Sequence, residues 1–157
     1  IAKRKIETSD ISNKVIFNIS NICNGQCVYC YENGGNFGHA TALMNTKSAK
    51  KALEYIYANF KHIRNVVFFG GEPTLNYNII RYIVNELEQK EFADNYEITT
   101  NAININEDMI DFFIKNNFKV VISIDGPEFI HEKLRLNCNH KKVENIIDKI
   151  KNSKIGG

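Results

Sequence analysis

The sequence has no tryptophan, only two prolines and only four cysteines in 157 residues. So few prolines leave no Pro-rich linker, and no low-complexity tract divides the chain. Four cysteines are too few for a disulfide scaffold in a chain this long. A chain of this length buries roughly 68–70% of its unfolded surface, so it needs no cross-links to hold a core. No apolar run approaches the ~20 residues of a membrane-spanning helix. Ile1-Ala2-Lys3-Arg4-Lys5 is followed by polar residues and not by an apolar run, so a secretory leader is not expected in these residues. The start at Ile1 rather than Met leads us to expect a processing or cloning boundary there. An excess of one charge is also missing. Lys and Arg number 20 against 18 Asp and Glu, a net charge of +2, and they are scattered. Neither a nucleic acid nor an anionic membrane is an expected partner.

What is present is a balanced globular composition, 43% hydrophobic and 24% charged. Three of the four cysteines, Cys23, Cys27 and Cys30, crowd into eight residues. A tight, odd-numbered cluster in a core-forming chain points to a metal site in a reducing compartment, hence to a cytoplasmic protein.

Four β-branched and aromatic runs read as buried strands: 15–19, 66–69, 96–100 and 120–124. Helical periodicity fills the gaps. Ala49, Leu53, Ile56 and Phe60 form one stripe behind Asn45 and Thr46 as capping residues. Ile79, Ile80, Ile83, Val84 and Leu87 form a second. Met109, Ile110, Phe113 and Ile114 form a third behind Asn106, and Val143, Ile146, Ile147 and Ile150 a fourth. The order β-α-β-α-β-α-β-α predicts an α/β fold, a parallel sheet covered by helices.

In such folds ligands bind at the carboxyl ends of the strands. Every strand here ends on polar or special residues. After the first comes Cys23-Asn24-Gly25-Gln26-Cys27-Val28-Tyr29-Cys30, which can bring three thiolates from one loop onto one centre. An iron–sulfur cluster suits that spacing better than zinc, whose sites usually pair two C-x2-C knuckles. Cys138 lies in a polar stretch beyond the fourth strand and reads as a free cysteine, with a fourth-ligand role as the alternative. After the second strand comes Gly70-Gly71-Glu72-Pro73, either an ordinary turn or a close backbone approach to a ligand, with Glu72 able to accept from an ammonium. After the third comes Thr99-Thr100-Asn101. After the fourth comes Ser123-Ile124-Asp125-Gly126-Pro127, where strand alternation puts Ser123 and Asp125 on one face. An Asp-Gly turn is the plain alternative. His131 and Arg135 follow at helical spacing on one face, and Arg135 is either a carboxylate partner or a surface residue. His39, His62 and His140 read as surface or loop residues. The three-cysteine loop and three ligand-like motifs all fall on the same edge of four successive strands.

These residues together resemble the radical SAM superfamily. The C-x3-C-x2-C loop with Tyr29 before its last cysteine is similar to the family's signature. The run Phe68-Phe69-Gly70-Gly71-Glu72-Pro73, then Ser123-Ile124-Asp125-Gly126-Pro127 with His131 and Arg135, resembles the peptide and protein maturases. That subgroup includes sulfatase-maturating and thioether-forming enzymes. The resemblance runs from about Val15 to about Arg135.

It implies a 4Fe–4S cluster on Cys23, Cys27 and Cys30, with S-adenosylmethionine on the fourth iron. It places Tyr29 near the adenine. Gly70, Gly71 and Glu72, closed by Pro73, receive the methionine ammonium. Asn101, Ser123 and Asp125 lie near the ribose or methionine, and Arg135 is a carboxylate partner. The implied reaction is reductive cleavage to a 5′-deoxyadenosyl radical that abstracts hydrogen from a peptide or protein. An electron donor such as a flavodoxin or ferredoxin is implied with it. Small-molecule biosynthesis is the second reading, and a non-catalytic iron–sulfur or zinc module the third. The GGEP motif counts against the third, since a bare electron carrier needs no ammonium site.

The implied architecture is a partial (β/α)6 barrel, of which about four βα units are counted here. Residues 1–13 form a polar segment without an assigned role. Residues 14–157 correspond to the N-terminal portion of a core expected to be truncated, with the next strand expected near Lys154-Ile155.

Overall fold

Apolar runs too short for a helix stripe must bury themselves as strands. The computed structural model, which describes residues 10–153, places them in one parallel sheet. β1 (Ile11–Ser12) and β2 (Val15–Ser20) both pair with β4 (His62–Gly70), at the successive registers Ile11↔His62 and Val15↔Val66. They are two pieces of one edge strand. Part of the polar N-terminal segment therefore has a role, extending the sheet. β5 (Ala93–Thr100) lies on the other side of β4, and β6 (Phe118–Ile122) lies beyond β5. Order in space follows order in sequence, as a barrel requires and a doubly wound sheet does not.

The helices α1 (Thr46–Asn59), α2 (Tyr77–Glu88), α3 (Glu107–Lys115) and α5 (His140–Asn152) follow the predicted stripes. Asn45 and Asn106 cap as expected, accepting from the backbone N–H of Ser48 at 2.9 Å and of Met109 at 3.0 Å. An additional short helix, α4 (Glu128–Leu134), precedes a two-residue strand, β7 (Arg135–Leu136). That strand pairs antiparallel with β3 (Gln26–Cys27) inside the cysteine loop.

One face of the sheet carries the core. Phe17 stacks on Phe68 at 6.0 Å, Phe68 on Phe118 at 5.8 Å, and Phe118 meets Phe113 of α3 at 5.0 Å. These rings join Leu53 and Ile56 of α1 and Ile80, Ile83 and Leu87 of α2 in one cluster. The opposite face is only partly covered. It holds exposed Ile16 and Val121 and the Lys119–Glu97 ion pair. Of the strands, β4 at the centre is the one buried on both faces, with Val66, Val67 and Phe68 all buried in succession.

The fourth strand differs as well. It begins at Phe118 and ends at Ile122, so Ser123 and Asp125 lie beyond it and strand alternation does not relate them. Ser123 keeps one bond to the sheet, its N–H donating to Thr100 O at 2.9 Å. The helix carrying His131 stops at Leu134, so Arg135 belongs to β7 and does not share a helical face with it. The strand expected near Lys154-Ile155 lies outside the described residues. Among the described residues no helix is long and apolar enough to cross a membrane.

Candidate active site

The carboxyl ends of the main strands open onto a single cavity. It is lined by the three cysteines of the loop, by Gly70, Gly71 and Glu72 after β4, by Thr99–Asn101 at the end of β5, by Ser123 after β6, and by Tyr29 and Arg135. Ten of the twelve residues expected from sequence therefore line one space. The two others stand behind it. Pro73 is buried at the start of a 3-10 turn (Pro73–Asn76), and Asp125 holds two lining side chains from outside.

The Gly70-Gly71-Glu72 turn is built around the strand that leads into the cysteine loop. Gly71 N–H donates to Ser20 O at 2.8 Å, and Glu72 N–H to Ile22 O at 2.9 Å. A Cβ on Gly70 would lie 2.0 Å from Ser20 O, and its φ of 141° is one that side chains rarely adopt. A Cβ on Gly71 would meet Ile22 O at 2.6 Å. The glycines thus admit neighbouring backbone as well as lining the cavity.

Glu72 is 1% exposed. Its Oε1 accepts from Thr74 N–H at 3.0 Å, Thr74 Oγ1 at 2.6 Å and Thr100 Oγ1 at 2.8 Å, and its Oε2 accepts from Asn101 N–H at 2.8 Å. Four donors from the chain itself meet this carboxylate. Its observed work is to join the turn after β4 to the end of β5.

Each loop sulfur accepts from an N–H group. Cys23 Sγ receives Gly25 N–H at 3.3 Å and Asn101 Nδ2 at 3.5 Å. Cys27 Sγ receives Arg135 Nη1 at 3.7 Å, and Cys30 Sγ receives Gly34 N–H at 3.4 Å. Burial pushes the Cys23 thiol up from its ordinary value, against the pull of Gly25. Burial pushes Cys27 up too, against Arg135.

Arg135 reaches three partners. Its Nε stands 2.9 Å from Asp125 Oδ2 as an ion pair, its Nη1 reaches Cys27, and its guanidinium lies 5.6 Å from the centre of the Tyr29 ring. Tyr29 donates its hydroxyl to the same Asp125 oxygen. Burial and this carboxylate push the Tyr29 phenol up to about 12. His131 is fully buried behind the group. Its Nδ1 accepts Asp125 N–H at 3.3 Å, which leaves the proton on an unpartnered Nε2. His140 is not a surface residue. It is 6% exposed, T-shaped against His131 at 5.3 Å, with Nε2 2.9 Å from Gly126 O. His62 sits on β4, 2.7 Å from Asp94, and His39 is exposed. Cys138 is buried, its thiol donating to Asn101 O at 3.6 Å.

Sequence reasoning missed Tyr31, Glu32 and Phe69 as lining residues. Tyr31 and Glu32 immediately follow Cys30, and Phe69 immediately precedes Gly70, so adjacency to the two motifs was the available signal.

Among the described residues no three His, Cys, Asp or Glu side chains close on a single metal ion. The sulfurs instead share a cavity, each with an N–H donor. Multinuclear iron–sulfur centres take such a donor set, with hydrogen bonds to the ligating sulfurs. The residues present fit a cluster.

Comparison with known proteins agrees with this geometry. The family model of the Radical SAM superfamily matches residues 17–157. An uncharacterised protein of Methanocaldococcus jannaschii is 39% identical over 129 residues, covering 81% of this chain and 43% of the relative. A cysteine-type anaerobic sulfatase-maturating enzyme of Clostridium novyi is 35% identical over 133 residues, covering 78% of this chain and 34% of the enzyme. The solved structure of native anSMEcpe with bound AdoMet and Cp18Cys peptide superposes with a TM-score of 0.73 at 27% identity, over 92% of this chain and 41% of that one. The chain thus spans less than half the length of these relatives.

Proposed function

The chain belongs to the radical SAM superfamily, and on that premise we propose that it is the cofactor-binding part of an enzyme that matures a peptide or protein. The observation that carries this reading is the shared cavity. Three sulfurs, each with an N–H donor, face the same space as the Gly70-Gly71 backbone. The peptide substrate is argued from likeness to a sulfatase-maturating enzyme and to a structure holding a peptide.

A 4Fe–4S cluster at these sulfurs would supply the electron for reductive cleavage of S-adenosylmethionine, and with it the radical chemistry that the substrate undergoes. The chain's own residues divide the remaining work. Cys23, Cys27 and Cys30 hold the irons. The Gly70-Gly71 backbone meets the methionyl part of S-adenosylmethionine, and Asn101 and Ser123 offer polar side chains to the ribose or methionine. Tyr29, held by Asp125, stands on the adenine side. Glu72 acts beneath the ligand, fixing Thr100 and Asn101 in place. An electron donor such as a flavodoxin or ferredoxin completes the system.

The test is anaerobic reconstitution of the intact protein with iron and sulfide, reduction by dithionite, and measurement of 5′-deoxyadenosine from S-adenosylmethionine. Release of 5′-deoxyadenosine that rises with a cysteine- or serine-bearing peptide is the expected result. A reconstituted protein that never cleaves S-adenosylmethionine refutes the reading.

A further inference from the structure

The three sulfurs are not equivalent. Cys23 and Cys30 accept from neutral N–H groups, whereas Cys27 alone of the three accepts from a guanidinium. The backbone fixes that contact, because Cys27 and Arg135 are register partners in the β3–β7 ribbon. The Arg135 side chain is only 13% exposed, so water and salt screen its charge weakly. A counter-charge stands on its far side. Asp125 Oδ2 is 2.9 Å from Nε and is held there by the Tyr29 hydroxyl.

Reduction adds one negative charge at a cluster. A fixed cation and hydrogen-bond donor beside a ligating sulfur stabilises the reduced form and raises the potential, and a fixed anion lowers it. We propose that Arg135 and Asp125 are positioning residues that set the reduction potential of the cluster through Cys27, Arg135 raising it and Asp125 opposing it. The inference rests on Cys27 being a cluster ligand. It gives Arg135 a task that needs no contact with S-adenosylmethionine.

The experiment is a redox titration of the intact, anaerobically reconstituted protein without S-adenosylmethionine, followed by the EPR signal of the reduced cluster. Arg135→Gln moves the midpoint to more negative potential, and Asp125→Asn moves it to more positive potential, with iron and sulfide content unchanged in both. Arg135→Lys, which keeps the charge without the fork, falls between the parent and Arg135→Gln. Should Arg135→Gln not fold, Asp125→Asn alone decides the sign. Midpoints that stay put, or that move the same way in both variants, overturn the inference and leave the proposed function standing. A parent protein that binds no iron overturns both.

Discussion

The backbone N–H of Asn101 donates to Oε2 of Glu72 at 2.8 Å, tying the end of β5 to the turn after β4. The other carboxylate oxygen takes three donors from Thr74 and Thr100. Glu72→Gln puts an NH2 group where at least one of these donors points. The cost is about 1–3 kcal/mol for each buried donor left without an acceptor. Thermal denaturation should show a lower Tm, and iron content and S-adenosylmethionine binding should fall together. A variant with normal Tm and iron that loses only S-adenosylmethionine would instead make Glu72 a direct ligand.

Gly71→Ala forces a methyl to within 2.6 Å of Ile22 O, one residue before Cys23. Overpacking of this kind costs about 1–3 kcal/mol, and the displaced backbone carries a sulfur. Reduced iron incorporation with a lowered Tm is expected. Gly38→Ala is the control. Its φ of +80° also disfavours a side chain, but nothing lies within 4 Å of the added carbon, so Tm drops slightly and iron stays.

Cys27→Ala and Cys138→Ala should separate cleanly. Cys138 is 3% exposed and packed in the core cluster, donating to Asn101 O. Its removal costs about 1 kcal/mol and leaves the iron-to-protein ratio of the parent. Loss of Cys27 should abolish iron binding. Equal loss from both would make Cys138 a ligand.

His131 gives the fold an acid-sensitive point. Burial lowers its pKa from 6.5, and the neighbouring His140 and Arg135 lower it further, against Asp125 and Glu132. Below pH 6.5 the unfolded chain takes up a proton that the folded chain refuses. The stabilisation is therefore complete above pH 6.5 and is lost as pH falls below it, by at most about 1.4 kcal/mol per pH unit. Urea denaturation at pH 7.5 and pH 5.5 should show this loss, and His131→Gln should flatten it. An unchanged pH dependence in the variant assigns the effect to other groups.

The strands and helices were legible because their residues carry their own period. Phe17, Phe68 and Val120 announce strands, and Asn45 and Asn106 announce helix starts, wherever the chain goes next. The cysteine loop was equally legible, since three thiols in eight residues have few uses. Contacts between distant segments were not. Nothing near Cys27 points to Arg135, and two-residue strands such as β3 and β7 have no periodicity to detect. His140 shows the same limit. A histidine opening a polar helix looks solvated, and only the packing of α5 on α4 buries it against His131. Glu72 reads from sequence as a ligand residue at a parallel strand end and does line the cavity, but its hold on the neighbouring strand end could not be read there. Its four internal donors come from residues up to 29 positions away.

The β3–β7 ribbon also sets an order of assembly. Cys27 and Arg135 are 108 positions apart, and closing so long a loop costs entropy that only later contacts repay. During synthesis all three thiols leave the ribosome more than a hundred residues before the guanidinium that will clasp the middle one. Until Arg135 has emerged, the cysteine loop lacks both its ribbon partner and its charged donor. Metal arriving before that moment meets an open thiol loop, and metal arriving after it meets the finished cavity.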